Sequence, residues 1–325
     1  KKLSLKLDAR QNQVDDESIL PKVEKEDIPA TKLFPKVSGD KDRKYYKAGT
    51  NGIIYHDYVF PIKNLNDQEL SLASLYAYLL TNVGLKRKSY EEIQEYQSLI
   101  TGSINASIKS EFNDIKEKPS LSLVFSAKSL EKNASQMRDL ITETINHVRF
   151  DEKKRIQELI QLVIARNEEA ISSNGHGLAM EYAAGGVSSY AALNASIYGI
   201  KKLQDIKLII SKLGIDKGTD AIIEILKNIH IKVIKNPHEV LAILSDETAL
   251  SNRLSVNQNE YNFQDEVVKF KNETAWIIPS QVNYCAEIFK GVNFLHDDAP
   301  KLSLLGAVLR NGYLHTAIRE KGGAY

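Results

Sequence analysis

Two neighbouring stretches place the tightest limit on the fold. SINASIK (residues 103–109) puts Ile104, Ala106 and Ile108 on one face, and SLSLVFSAK (120–128) does the same with Leu121, Leu123, Phe125 and Ala127. Side chains alternate across a strand, so strict alternation marks a sheet with one buried face. The next two stretches can cover that face. LEKNASQMRDLITETINHV and DEKKRIQELIQLVIARNEEAISS carry apolar residues at helical spacing. Upstream, RKYYKAGTNGIIYHDYVFPI reads as two strands hairpinned around Asn51-Gly52. A helix follows with Leu72, Leu75, Leu79 and Leu80 at its spacing, closed by Gly84. Ser89 and Glu92 form a capping box for the next helix, which Gly102 ends. Further helices run from about Gly177 to Lys227, and HEVLAILSD reads as a closing strand. Strands come in groups rather than in regular alternation with helices. The expected class is α+β: two layers, an antiparallel-rich sheet with helices packed on one face.

Residues 1–42 are charge-mixed, with Pro21, Pro29 and Pro35, and read as the end of an interdomain linker. Residues 43–250 read as one complete domain, and the polar stretch 251–272 as a connector. A second unit, 273–325, opens with ETAWIIPSQVNYCAEIFKG. Asp297, Asp298 and Pro300 then mark a helix start. That helix places Leu302, Leu305, Leu309 and Thr316 on one face, and His315 and Arg319 one turn apart on another. So short a unit cannot bury its own core: either it leans on the first unit or the chain is cut short. The first residue is Lys rather than Met, which argues against a natural start.

Charge is balanced, with 43 Lys and Arg against 42 Asp and Glu, so no basic field is available to hold a nucleic-acid backbone. The single cysteine, Cys285, excludes an internal disulfide and suits a reducing compartment. On its strand-like stretch it reads as a small buried hydrophobe rather than a nucleophile. No apolar stretch is long enough to span a bilayer, and the N-terminus lacks the apolar core of a secretory signal. The histidines are His56, His147, His176, His230, His238, His296 and His315, and none falls in an HExxH or HxxEH pattern. The nearest approach is His238-Glu239, where Ala242 occupies the fifth position. No cysteine cluster, Walker loop or Rossmann glycine fingerprint is present. Gly185-Gly186 reads as a helix break. His315 reads as a solvated or packing residue, His176 as a helix cap or a residue packed between helices, and the charged face of 151–169 as a solvated helix face. On residues alone the chain has no catalytic centre, and a binding module remains open.

Three longer stretches carry a family resemblance. The first is TNGIIYHDYVFPI with LASLYAYLLTNVG and SYEEIQEYQSLITGSINASI. The second is ISSNGHGLAMEYAAGGVSSYAALNASIYGIKKLQDIKLI. The third is IIPSQVNYCAEIFKG leading to LSLLGAVLRNGYLHTAIREKGGAY. Together they resemble the C-terminal half of the presequence protease family, the large single-chain members of the pitrilysin-type zinc metallopeptidases. The resemblance runs from about residue 40 onward. It is most specific at LHTAIREKGGAY, and the middle stretches match by order and spacing.

The resemblance implies a pitrilysin-type (LuxS-like metallohydrolase) α+β domain over 43–250, the third of four, and the opening of the fourth over 273–325. It implies the non-catalytic half of a metalloendopeptidase that degrades unfolded oligopeptides in a closed chamber. The partner would be the N-terminal catalytic half of the same polypeptide, which holds zinc through an inverted HxxEH motif and a distal Glu. This chain would hold no metal, cleave nothing alone, bind no nucleic acid and insert in no membrane. The compartment implied is the cytoplasm in a bacterium or an organellar matrix in a eukaryote. By the same resemblance Arg319 and Tyr325 contact substrate near the scissile bond. A guanidinium or phenol donor aimed at the developing oxyanion adds to the polarisation that zinc supplies. Gly322-Gly323 permits the tight reversal that would bring Tyr325 back toward Arg319. Without the resemblance, Arg319 reads as a helix-end cation complementing the dipole and Tyr325 as a half-buried strand aromatic. The competing reading is a stand-alone non-catalytic scaffold or peptide-binding subunit of a pitrilysin-type complex. An HxxEH motif upstream in the same reading frame separates the two. An unrelated α+β interaction domain is the third reading.

Overall fold

The computed structural model describes residues 17–29, 37–39, 44–113, 118–234, 239–245, 274–278 and 280–324. The connector expected at 251–272 lies outside the described residues, as does His238. The chain divides into two units, 1–36 and 37–325. In the first, the described residues form two single 3-10 turns, Glu17–Ile19 and Lys25–Asp27. The second of these is capped by Glu24, whose N–H donates to Asp27 Oδ2 at 2.9 Å.

Among the described residues the second unit is built on a six-stranded sheet of order β1-β2-β6-β3-β5-β4. The strands are β1 (Val37–Gly39), β2 (Lys44–Lys47), β3 (Ile53–Pro61), β4 (Ser103–Asn113), β5 (Lys118–Leu130) and β6 (Glu239–Ser245). The helices are α1 (Asp67–Leu80), α2 (Tyr90–Ile100), α3 (Ala134–His147), α4 (Lys153–Ser173), α5 (Gly175–Gly185), α6 (Ser189–Tyr198), α7 (Ile200–Ile234) and α8 (Ala299–Leu309). Helix α7 is two segments joined at Gly214, where φ is +76°.

The hairpin expected at Asn51-Gly52 is half right. The turn forms with positive φ at both residues, and Ile53 N–H donates to Thr50 O at 3.1 Å. That is the primed geometry Asn-Gly favours. The strands it joins are not neighbours. Strand β6 inserts between them, parallel to β2 and antiparallel to β3. Turn chemistry specifies a local reversal only. VLAILS is an apolar run suited to a place between two partners, and β2 is only four residues long.

The alternation read from the sequence sets the faces. Ile54, Tyr58 and Phe60 of β3, Ile108 of β4, and Leu121, Leu123, Phe125 and Ala127 of β5 are all at most 7% exposed. Helices α1, α3 and α6 contact these strands, and α7 packs against α1, α4 and α6. Each fully buried Leu or Phe in this core contributes roughly 1.5–3 kcal/mol. The other parity carries the rows Tyr55–Lys128–Ser103 and Asp57–Ser126–Asn105, of which Tyr55, Ser103 and Asn105 are exposed. Val124, at the centre of this second face, and Pro61, at its end, are buried.

Caps and buried polar pairs lock the helices in register. The Ser89–Glu92 box forms as its spacing predicts, with Ser89 N–H on Glu92 Oε2 at 2.7 Å and Glu92 N–H on Ser89 Oγ at 3.4 Å. A second box, Asn66–Glu69, starts α1. Glu69 is buried, and the carboxylate oxygen that takes Asn66 N–H also accepts from Lys232 Nζ at 2.5 Å. This ties the end of α7 to the start of α1. Deeper in, the Tyr76 hydroxyl pairs with His230 Nδ1 at 2.9 Å, and Phe150 meets the same imidazole edge-on.

Two readings of single residues are corrected. The charged face of α4 is not simply solvated: Lys153 bridges Asp216 and Asp220 at 2.8 and 2.9 Å. Arg155 donates to Asn82 O and stacks 4.0 Å over Tyr90, and Glu168 pairs with Lys207. The partners come from distant parts of the chain, so no helical spacing reveals them. Cys285 is exposed rather than buried, because its stretch joins no sheet among the described residues. No helix of the described residues is long and apolar enough to cross a membrane.

Candidate functional site

The first place of interest is the end of the last helix. Helix α8 starts at Asp298, with Pro300 in its first turn and Lys301 Nζ on Asp298 Oδ1 at 2.6 Å. It runs on into a π-helical stretch, Arg310–Lys321. Such widened turns carry one residue more per ring and recur at functional sites. Arg319 is exposed in the last turn. Its carbonyl accepts from Gly322 and Gly323, and the carbonyl of Ile318 accepts from Ala324 at 3.0 Å. Gly323 has φ +68°, and a Cβ on Gly322 would lie 2.6 Å from Ile318 O. The tight reversal after Arg319 therefore forms, and both glycines are needed for it. Tyr325 lies outside the described residues. His315 Nδ1 sits 3.2 Å from Glu320 Oε1, with both side chains about half exposed.

The second place is not visible in the sequence. Residues 274–290 form no helix or strand where described, yet two aromatics anchor them on the junction of α4 and α5. The Tyr284 hydroxyl donates to Ser172 O at 2.7 Å. That carbonyl is in the last turn of α4, where no intrahelical partner is available. The Tyr284 ring lies against Gly175, where a Cβ would approach it to 2.3 Å. Trp276 stacks edge-on against Tyr182 of α5 at 5.5 Å, and its indole Nε1 is buried. Two of the stretches that carry the resemblance thus meet here. Gly175→Ala is expected to push the Tyr284 ring out and to cost about 1–3 kcal/mol in overpacking. Alanine's helix preference offsets up to about 1 kcal/mol of that, so the diagnostic readout is local. Proteolysis within 274–290 and the near-ultraviolet signal of Trp276 should both change. A variant with neither change would mean that this contact does not hold the segment.

Electrostatics adds a third cluster, where α5, α6 and α7 meet. Burial raises the Glu181 carboxyl above its usual range, partly opposed by Lys202. Burial lowers the Lys202 ammonium, partly opposed by Glu181. The two attract without a direct hydrogen bond between them, although Lys202 is only 9% exposed. Tyr198 beside them is raised by burial and by the Glu181 charge. Among the described residues no three His, Cys, Asp or Glu side chains come together as a metal-binding group.

Comparison with known proteins supplies what geometry does not. The chain is 29% identical to the mitochondrial presequence protease of Drosophila melanogaster over 86% of its own length and 28% of the relative's. It is 27% identical to the Kluyveromyces lactis protein of that name, over 96% of this chain and 34% of that one. With the Saccharomyces cerevisiae protein it shares 25% over 100% of this chain and 35% of that one. It therefore spans about a third of the length of these relatives. The family model described as peptidase M-16C associated matches residues 1–209, and the chain belongs to that family.

Proposed function

We propose that the chain is the non-catalytic C-terminal part of a pitrilysin-type zinc metalloendopeptidase that degrades unfolded peptides in a closed chamber. The observation that carries this reading is the alignment of 86–100% of the chain with about a third of each presequence protease. On this reading the sheet with its helix layer is a two-layer pitrilysin-type domain, and 273–325 opens a further domain of the same kind. Helix α8 and its π-helical extension fit that role. Leu302, Leu305, Leu309, Tyr313 and Ile318 are each at least 38% exposed, an apolar surface of the kind proteins cover. The N-terminal half of the same polypeptide holds the zinc and the general base, and this part supplies chamber wall and substrate contacts. Arg319 and Tyr325 act as donors near the scissile carbonyl. The mitochondrial names of the relatives fit an organellar matrix.

The test compares the 325-residue chain with the full-length polypeptide, using a fluorogenic unfolded peptide and zinc analysis. The full-length polypeptide is expected to bind zinc and cleave. The chain alone should do neither. Cleavage by the chain alone sinks the reading. A natural product that starts near Lys1 and has no upstream zinc motif favours the stand-alone scaffold instead.

A further inference from the structure

Strand β4 is the outer strand of the sheet and, among the described residues, pairs only with β5. Half of its free side is covered. Helix α6 presents Tyr190, Asn194 and Tyr198 at a spacing of four, on one face, and all three reach β4. The Tyr198 hydroxyl donates to the carbonyl of Ile108. The Tyr190 hydroxyl donates to the carbonyl of Ser110 at 3.5 Å, and Ser110 Oγ donates to Asn194 Oδ1 at 2.5 Å. Carbonyls that accept from α6 point away from β5. Alternate residues of an antiparallel strand share a direction, so the N–H and C=O groups of Ile104 and Ala106 also point outward. The opposite parity agrees: the Glu111 carbonyl accepts from Ser120 Oγ, on β5.

The outward groups of Ile104 and Ala106 find no further backbone hydrogen bond among the described residues. Both side chains are only half-buried, whereas Ile108 is 3% exposed. Leu99, just before the strand, is 71% exposed. The geometry points to the Ser103–Ser107 half of β4 as a strand-addition site for an extended peptide, with α6 setting where the added strand stops. Outward donors and acceptors recur about every 7 Å along a strand, a spacing that a second extended backbone matches. The peptide would set apolar side chains on the side of Ile104 and Ala106 and polar ones on the side of Asn105.

A second copy of this chain is the weaker occupant. With α6 closing the rest of the edge, two copies could pair over only about five residues, far short of the roughly 1,200 Å² a stable interface buries. The choice of a peptide also rests on the peptide-handling role proposed above.

The probe is a synthetic unstructured peptide of about ten residues with alternating Val and Ser. A second version is N-methylated at alternate positions, which removes the donors on one edge. Hydrogen exchange is followed residue by residue in the 325-residue chain. Saturating peptide is expected to slow the amides of Ile104 and Ala106 by about tenfold, and the methylated peptide to bind at least about tenfold more weakly. Unchanged exchange at Ile104 and Ala106, equal binding of both peptides, or protection confined to 299–321 overturns the site. Protection that rises with protein concentration and no peptide assigns the edge to a second copy and also overturns it. A chain that binds peptide at β4 while its full-length form cleaves nothing sinks only the peptidase reading. An active full-length peptidase whose β4 amides stay unprotected sinks only this one.

Discussion

Arg319→Ala in the full-length polypeptide is expected to lower kcat by about 10²–10³-fold, the range found when one donor to a developing oxyanion is removed. KM should move little, because the contact strengthens as charge builds on the carbonyl oxygen rather than in the ground state. Arg319 is exposed at a helix end, so the fold should change by no more than about 0.5 kcal/mol. Zinc content should equal that of the unchanged enzyme. Arg319→Lys should recover part of the rate, since an ammonium supplies charge without the planar fork. Tyr325→Phe should cost less, on the order of tenfold, for one neutral donor. Steady-state kinetics with metal analysis on the same samples decides the matter. Full turnover in both Arg319→Ala and Tyr325→Phe removes the substrate-contact role, and a loss of zinc would make the effect structural instead.

Acidification is expected to destabilise the fold between about pH 6.5 and pH 4 through two buried histidines. His56 is lowered to about 4, chiefly by burial and also by the Arg138 charge, with Asp57 opposing. His230 is lowered to about 4 by burial. In the unfolded chain both titrate near 6.5. The unfolded state therefore binds more protons throughout that window, and stability present above pH 6.5 is lost as pH falls through 4. Each histidine accounts for on the order of 3 kcal/mol at the end of the window. For His230 the strain falls on its pairing with Tyr76. For His56 there is no partner to Nε2 in the core to share a proton's charge. Urea unfolding midpoints at pH 7.5, 6, 5 and 4 measure the slope. His230→Gln should lower stability at pH 7.5 and flatten roughly half of the histidine-dependent slope. An unaltered slope in that variant would show that His230 does not stay neutral in the fold.

How much of this is legible in the sequence differs from element to element. The faces of β4 and β5, the Ser89–Glu92 cap, the break at Gly185 and the reversal after Arg319 can be read directly. The significance of Arg319 and Tyr325 comes only through the family resemblance, since a helix-end arginine and a strand tyrosine are ordinary in themselves. The Asn51-Gly52 turn is legible and its strand pairing is not. The neighbours of Cys285 alternate like a strand and so suggest a buried thiol, but alternation says nothing about whether a sheet is there to receive it.

The amino-acid sequence by itself determined most of the helices and central strands, where they cap and turn, and which face of each is apolar. Those properties depend on residues one to four positions apart, whose relative placement the backbone geometry dictates. The tertiary structure alone decided that β6 separates β2 from β3, that Tyr284 closes the end of α4 against Gly175, and that Tyr190, Asn194 and Tyr198 seal half of the β4 edge. Each of these joins groups far apart in the chain. Their stabilisation comes from burial and hydrogen bonding at a meeting point that exists only once the layers have packed, so no local pattern can carry it.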